Sequence, residues 1–253
     1  MTTRPIALIT GGSRGLGRNT ALNLARRGVD LIVTYRSRAD EAQTAIAEIE
    51  AAGGRAAALE LDAGAVASFP AFVEALKKTL RDTFQRDHFD YLVNNAGTGL
   101  RKMIAETSEA EFDALMNVHL KGVYFLTQAL LPLINDGGRI INVSSGLARF
   151  AAPGSSAYAM MKGGIEVFTR YLAKELGQRG ITANTVAPGA IATDFNGGHV
   201  RDNAEINRMV AGVTALGRAG VADDIGPMIA ALLSDDNRWV NAQRIEVSGG
   251  MNI

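Results

Sequence analysis

Cysteine is absent from the chain, which excludes disulfides, thiolate nucleophiles and Cys-ligated zinc or iron–sulfur centres. Neither sign of charge is in excess: 26 basic and 26 acidic residues give a formal net charge of zero, and no block of like charges occurs. A nucleic-acid or anionic-membrane partner is therefore not expected. Long apolar runs are missing too. The first, Ile6 to Ile9, follows Met1-Thr2-Thr3-Arg4-Pro5 and is too short for a signal-peptide core, and no later span is long enough to cross a bilayer. Those absences lead to the expectation of a cytoplasmic protein. His88, His119 and His199 lack metal-ligand spacing, so no metal site is expected. What is present is a composition 47% apolar and 21% charged over 253 residues, enough to build a sizeable core.

Short β-branched runs alternate with longer helical patterns from end to end. The expected strands are Ile6–Thr10, Leu31–Thr34, Ala56–Leu61, Tyr91–Asn94, Arg139–Val143, Thr182–Val186 and Ile245–Val247; the expected helices are Gly15–Arg27, Asp40–Ala52, Ala65–Thr83, Glu109–Leu133, Ser156–Gln178 and Ala222–Leu233. The strands read as continuous apolar runs, as they do when helices cover both faces of a parallel sheet. No linker rich in proline, glycine or serine divides the chain. The pattern predicts an α/β fold: a single doubly wound Rossmann-type domain over residues 1–253, with a seven-stranded parallel sheet flanked by helices on both faces. One stretch breaks the rhythm. Residues 190–216 hold Gly197-Gly198, a charged helical piece over Arg201–Met209 and no strand. Because this stretch follows the C-terminal end of a strand, it is expected to be a substrate lid rather than a plain surface excursion.

Between the first strand and first helix stands Thr10-Gly11-Gly12-Ser13-Arg14-Gly15-Leu16-Gly17. Glycine there permits positive φ and close backbone approach to a diphosphate, which the following helix start holds with free N–H groups. At the end of the second strand, Thr34-Tyr35-Arg36-Ser37-Arg38 offers no carboxylate before Asp40. An acid there would bond a ribose 2′-hydroxyl and repel a 2′-phosphate. With that acid missing, Arg14 and Arg36 are expected to clasp a 2′-phosphate, which points to NADP(H). Asp40 is read as favouring a helix start.

Further along stand Ser145, Tyr158 thirteen residues on, and Lys162 four residues after that. A helical turn puts Tyr158 and Lys162 on one face. A positive charge ~5 Å from a phenol at an effective dielectric of ~20 is worth roughly 3 kcal/mol. That is enough to draw the phenol down from its ordinary ~10 toward neutrality, where it serves as general acid or base. A helix starting near Ser155 or Ser156, both good caps, is expected to lower Tyr158 further. Ser145 is expected to donate to the same carbonyl oxygen.

Together these motifs resemble the short-chain dehydrogenase/reductase family, from Ile6 to about Gly250. Within it the chain looks most like the 3-oxoacyl-carrier-protein reductase and glucose dehydrogenase branches. The resemblance implies a catalytic tetrad of Asn117, Ser145, Tyr158 and Lys162. Lys162 would hold the nicotinamide ribose, and Asn117 would anchor a water linking Lys162 to solvent. It also implies cofactor contacts from Gly11, Ser13, Arg14, Gly15, Leu16, Gly17, Arg36, Ser37, Asp62 and Ala63. The same list continues with Asn94, Ala96 and Gly97 of Asn94-Asn95-Ala96-Gly97, with Tyr158 and Lys162, and with Pro188, Gly189, Ile191 and Thr193. Asn241 stands where a glycine is usual and Ser248 where an aspartate is; Ile134-Asn135-Asp136 brings no basic residue before Gly137-Gly138, against a carrier-protein partner.

The expected activity is hydride transfer between NADP(H) and a small carbonyl or alcohol substrate, chiefly carbonyl reduction. An NAD-dependent sugar or alcohol dehydrogenase and a non-catalytic NADP(H)-binding redox sensor are the alternatives; the presence of both Tyr158 and Lys162 disfavours the sensor. Apolar residues on more than one face of the helix from Ser156, among them Met160, Val167 and Tyr171, predict a homo-oligomer, tetramer or dimer.

Overall fold

The seven apolar runs all become strands: β1 (Ile6–Ile9), β2 (Asp30–Tyr35), β3 (Ala56–Glu60), β4 (Phe89–Asn94), β5 (Ile134–Val143), β6 (Thr182–Pro188) and β7 (Arg244–Val247). They are drawn from a computed structural model that describes residues 4–253, so the opening Met1-Thr2-Thr3 lies outside the described residues. All pair in parallel in the order β3-β2-β1-β4-β5-β6-β7. Side chains alternate across the sheet with the period of two that a strand imposes. Ile6 and Leu8 thus enter one core with Phe72, Leu76, Leu126 and Leu172. Ala7 and Ile9 enter the other with Leu24, Ile49, Ile225 and Ile229. One α/β domain with two apolar layers results.

The helices supplying those layers are α1 (Gly15–Ala25), α2 (Ala39–Ala51), α3 (Phe69–Thr79), α4 (Glu109–Met116), α5 (Gly122–Leu130), α6 (Ser156–Glu175), α7 (His199–Asp202), α8 (Ala204–Gly212) and α9 (Ala222–Leu232). Asp40 and Glu41 occupy the first turn of α2, as a helix dipole favours. The helix expected from Ala65 starts properly only at Phe69, where Pro70 in the first turn forfeits no internal bond. Ser108 and Glu111 cap α4 reciprocally, the Glu111 N–H donating to Ser108 Oγ at 3.3 Å and the Ser108 N–H to Glu111 Oε2 at 3.1 Å.

Two departures matter for function. The single helix expected over Glu109–Leu133 is interrupted by a wide π-turn, Asn117–Lys121, and ends in a 3₁₀ turn at Leu131–Leu133. Such widened turns rotate every following side chain relative to an unbroken helix, and they recur at functional sites. The helical piece expected over Arg201–Met209 is split between α7 and α8 at Asn203, whose Oδ1 accepts from the N–H groups of Glu205 and Ile206.

The strand order turns back on itself between β1 and β4. Ligands of open α/β sheets sit at the carboxyl ends of the strands beside such a reversal. The segments leaving β1, β4, β5 and β6 at that edge carry nearly every residue singled out above.

Candidate active site

Four segments meet at the crevice. The glycine turn after β1 lies over the end of β2, where the Gly11 N–H donates to Thr34 Oγ1 at 3.1 Å and the Gly12 N–H to the Thr34 carbonyl at 3.0 Å. Gly17 is dictated by packing: a Cβ there would overlap the Gly11 carbonyl and lie 2.6 Å from Asn95 Nδ2. Gly15 opens α1 at φ +54°. Arg14, at the N-cap, makes no side-chain cap bond, and no acid stands in the first turn of α1. The free N–H groups and positive end of an eleven-residue helix are thereby left for an anion. Thr10 and Asn95 lock the turn to the segment after β4: Thr10 Oγ1 accepts from the N–H groups of Asn95 and Ala96, both at 3.0 Å, and Asn95 Nδ2 donates to the Thr10 carbonyl at 2.9 Å.

Asn94 behaves differently from expectation. Its side chain is buried and donates to Thr127 Oγ1 at 3.1 Å and Asn142 Oδ1 at 2.8 Å. Asn142 in turn donates to Thr169 on α6. This amide braces the sheet interior. At the other rim, Arg36 and Ser37 are exposed beyond β2. Asp40 and Glu41 are engaged by Arg38, and Arg36 has no ion pair among the described residues. Arg14 does not stand free beside it. Its guanidinium meets Asp194 at 2.8 Å, which ties the glycine turn to the segment after β6. Asp62 is exposed and turned onto its own loop, where it accepts from the Gly64 N–H at 2.9 Å. Ala63 packs its carbonyl against Gly122 at the end of the π-turn.

Ser145 follows β5 in extended backbone, and its Oγ accepts from the Leu147 N–H at 3.2 Å. Tyr158 stands in the first turn of α6, which begins at Ser156 after Ser155; Ser155 provides no side-chain cap bond. Lys162, one turn on, is only 5% exposed. Its Nζ donates to the Val143 carbonyl at 2.7 Å and sits 5.5 Å from the centre of the Tyr158 ring. Ser145, Tyr158 and Lys162 are thus brought together as the spacing implied.

The electrostatics reverse the expectation for the phenol. Tyr158 is raised above its ordinary value, because burial disfavours the phenolate, and the Ser145 hydroxyl opposes this only in part. Lys162 is lowered by its own burial to about 8. The Lys162 ammonium donates to the Val143 carbonyl.

Asn117 opens the π-turn that leads to the cluster. The same turn delivers His119, which is 1% exposed, packed at right angles to the Tyr158 ring at 5.1 Å and 83°, and close enough to Lys162 for that charge to disfavour its protonation. Asn117 is half-buried at the start of the turn, with no side-chain hydrogen bond among the described residues. A regular helical wheel hides this, and the sequence signal that marks it is the glycine at 97, against which the imidazole packs.

The segment after β6 completes the crevice. Gly189 lies so close to Ser248 that a Cβ would come within 2.9 Å. Ile191 bridges to Gly220, and Thr193 Oγ1 accepts from the Phe195 N–H at 3.3 Å. Asn196, Gly197 and Gly198 follow, all at positive φ. The Asn196 side chain occupies the space a Cβ on Gly99 would need, and the Phe195 ring lies 6.2 Å from that of Tyr158. Asp194 and Phe195, within the stretch expected to form a lid, belong to this site, although neither was singled out from the sequence.

The chain is similar to known proteins over almost its whole length. The sequence model of a family described as enoyl-(acyl carrier protein) reductase matches residues 11–252. A hydroxynaphthalene reductase-like protein, Arp2 of Metarhizium brunneum, is 36% identical over 97% of this chain and 94% of its own. The tetrahydroxynaphthalene reductase PfmaG of Pestalotiopsis fici is 35% identical over 97% and 90%. Among solved structures, the promiscuous reductase LugOII of lugdunomycin biosynthesis superposes with a TM-score of 0.94 at 38% identity, covering 99% of both chains. The angucycline ketoreductase LanV, solved with bound NADP, superposes at 0.93 with 35% identity, covering 98% of this chain and 95% of its own.

Proposed function

Because the chain belongs to the short-chain dehydrogenase/reductase family, we propose that it reduces a ketone on a fused-ring aromatic substrate with NADPH. The observation that carries the reaction is the meeting of Ser145, Tyr158 and Lys162 at the sheet's reversal point, with the phenol held protonated. Residues at the cofactor rim fit a dinucleotide phosphate. The start of α1 is free for a diphosphate, and β2 ends on an unpaired arginine with no acid beside it. Arg36 and Ser37 would receive the 2′-phosphate, Thr193 the carboxamide side, and Lys162 the nicotinamide ribose. The cofactor supplies the hydride; the protein supplies the proton and the alignment. Ser145 Oγ donates to the substrate oxygen as negative charge gathers there. Tyr158 gives its hydroxyl proton to that oxygen, and the Lys162 ammonium stabilises the phenolate left behind.

A phenol raised above its ordinary value stays protonated at neutral pH but is a weaker acid than usual, so its proton transfer depends on the Lys162 charge holding the phenolate as it forms. Lys162 sets the alkaline limit. Below about pH 8 it carries its charge; above that value it loses the charge, and reduction should slow. A rate still rising well above that pH would count against this assignment. The fused-ring preference draws on the hydroxynaphthalene and angucycline relatives and on the Phe195 ring beside Tyr158. The direct test is NADPH oxidation with β-tetralone against acetoacetyl thioesters. Faster turnover of the thioester would replace the aromatic reading with an acyl one.

Cofactor choice has its own test. Arg36→Glu should lower kcat/KM for NADPH by about 10- to 100-fold, the loss of one charge-assisted phosphate contact of roughly 1.5–3 kcal/mol. NADH use should be unchanged or improved. Equal losses with both cofactors would remove Arg36 from the 2′-phosphate site.

The same reading makes residues 190–216 a lid latched by Arg14–Asp194 and Asn196–Gly99, so NADPH should slow proteolysis within it; identical cleavage with and without cofactor would sink that part. A second copy covers the outer face of α6, where Met160 and Tyr171 are 63% and 62% exposed. Sedimentation as a monomer would exclude it. No helix among the described residues is long and apolar enough to cross a membrane, and we place the enzyme in the cytoplasm.

A further inference from the structure

His119 is held among three neighbours: Thr98, Tyr158 and Gly97. Its Nε2 lies 2.6 Å from the Thr98 carbonyl and 3.2 Å from the Thr98 N–H. A carbonyl oxygen only accepts, so the shorter contact favours the hydrogen on Nε2, over the longer Thr98 N–H contact that would need a lone pair there. The lone pair then falls on Nδ1, which is buried without a partner. Its ring meets the Tyr158 ring edge-on. On the other side, a Cβ on Gly97 would come within 2.7 Å of Cε1, so the glycine that ends Asn94-Asn95-Ala96-Gly97 is what makes room for the imidazole. The charged and titratable groups around it are Lys162 and Tyr158 from α6, while Lys121 on its own turn is exposed. Burial first and the Lys162 charge second hold His119 down to about 3, against the upward pull of the Thr98 carbonyl. It is a neutral spacer throughout the working range.

Resting on the reductase reading above, we propose that His119 is a positioning residue of the reaction. Its Nε2–H bond to the Thr98 carbonyl ties the turn after β4 to the edge of the Tyr158 ring. That turn is the one whose next residue, Gly99, abuts Asn196 of the lid. One side chain therefore sets the phenol relative to the wall of the carbonyl site. Released, the turn and the ring drift independently. A misplacement of about 1 Å at a reacting group costs on the order of 10²-fold in rate.

Two substitutions separate the bond from the bulk. His119→Phe keeps an aromatic edge against Tyr158 and loses the donor; it should lower kcat for β-tetralone by about 30-fold with KM for NADPH unchanged. His119→Gln, whose amide reaches the Nε2 position, keeps an N–H for the Thr98 carbonyl and should retain kcat within about threefold. Undiminished kcat in His119→Phe overturns the proposal, and so does an equal loss in both variants. NADPH binding alone, followed by nicotinamide fluorescence, is read on each. If even the wild type ignores β-tetralone while binding NADPH, the substrate reading fails and His119 is judged on the wild-type protein by NMR of its imidazole nitrogens. A neutral Nε2–H tautomer from about pH 5 to about pH 8 is the expected result. Titration in that range, or a hydrogen on Nδ1, overturns the proposal.

Discussion

Tyr158→Phe should lower kcat by about 10³-fold or more while leaving NADPH affinity within about twofold, a loss at the upper end of what one general acid contributes. Reduction needs a proton at the new alkoxide as the hydride arrives, and within the cluster only Tyr158 combines an O–H with a nearby cation able to hold the resulting anion. Ser145 cannot replace it. Its hydroxyl is a far weaker acid, and its Oγ already accepts from the Leu147 N–H. The substitution is close to isosteric, so the ring edge that meets His119 survives. Removing the hydroxyl forfeits its bonding with Ser145, a change of roughly 1 kcal/mol in stability. Single-turnover rates, NADPH titration and thermal melts on the same preparation separate these effects. Turnover close to wild type in the phenylalanine variant would mean that the proton comes from elsewhere.

Why some of this was legible and some was not has physical causes. The seven strands could be read because both faces of the sheet are covered, which turns each strand into an apolar run such as Ile6–Ile9 or Ile140–Val143 bounded by glycine or polar residues. The glycine turn and the Tyr158–Lys162 pair were equally readable, since each depends on local geometry: a packed Gly17 and one helical turn. Longer-range terms were hidden. The π-turn at Asn117–Lys121 shifts the register within a stretch that looks uniformly helical, and so brings His119 against the Tyr158 ring. The direction of Asn94 depends on Thr127 and Asn142, which reach it only in the folded sheet. Arg14 was read as a phosphate ligand beside Arg36; its pairing with Asp194 joins segments 180 positions apart. The sign of the Tyr158 shift went wrong for a related reason. Charge proximity can be estimated from a spacing of four, but desolvation depends on everything that packs around the pair.

Lys162→Met should abolish reduction and yet make the protein more stable at neutral pH. Lys162 is almost fully buried, with its value lowered to about 8. Below that pH the ammonium is charged in both folded and unfolded chains, and the folded state bears the whole desolvation cost. The gap from an ordinary ~10.4 is worth roughly 3 kcal/mol. Methionine removes that burden with an unbranched chain of similar length. Against this, the Val143 carbonyl loses its donor, a loss of about 1–3 kcal/mol. The balance favours the variant by up to about 2 kcal/mol, or up to several degrees in Tm at ~2–4 °C per kcal/mol for a chain of this size. The pH dependence carries the sign. Between about pH 8 and ~10.4 the folded wild type has released its proton while the unfolded chain still holds one, so wild-type stability rises with pH across that window. The advantage of methionine should therefore be full at pH 7 and shrink through the alkaline range, where the neutral amine of the wild type still bonds Val143. Melting curves of both proteins at neutral and alkaline pH test this, and a lower Tm for Lys162→Met at pH 7 would refute it. A buried cation that weakens the fold it sits in is explained by what it does for the phenolate, because packing alone would favour the thioether.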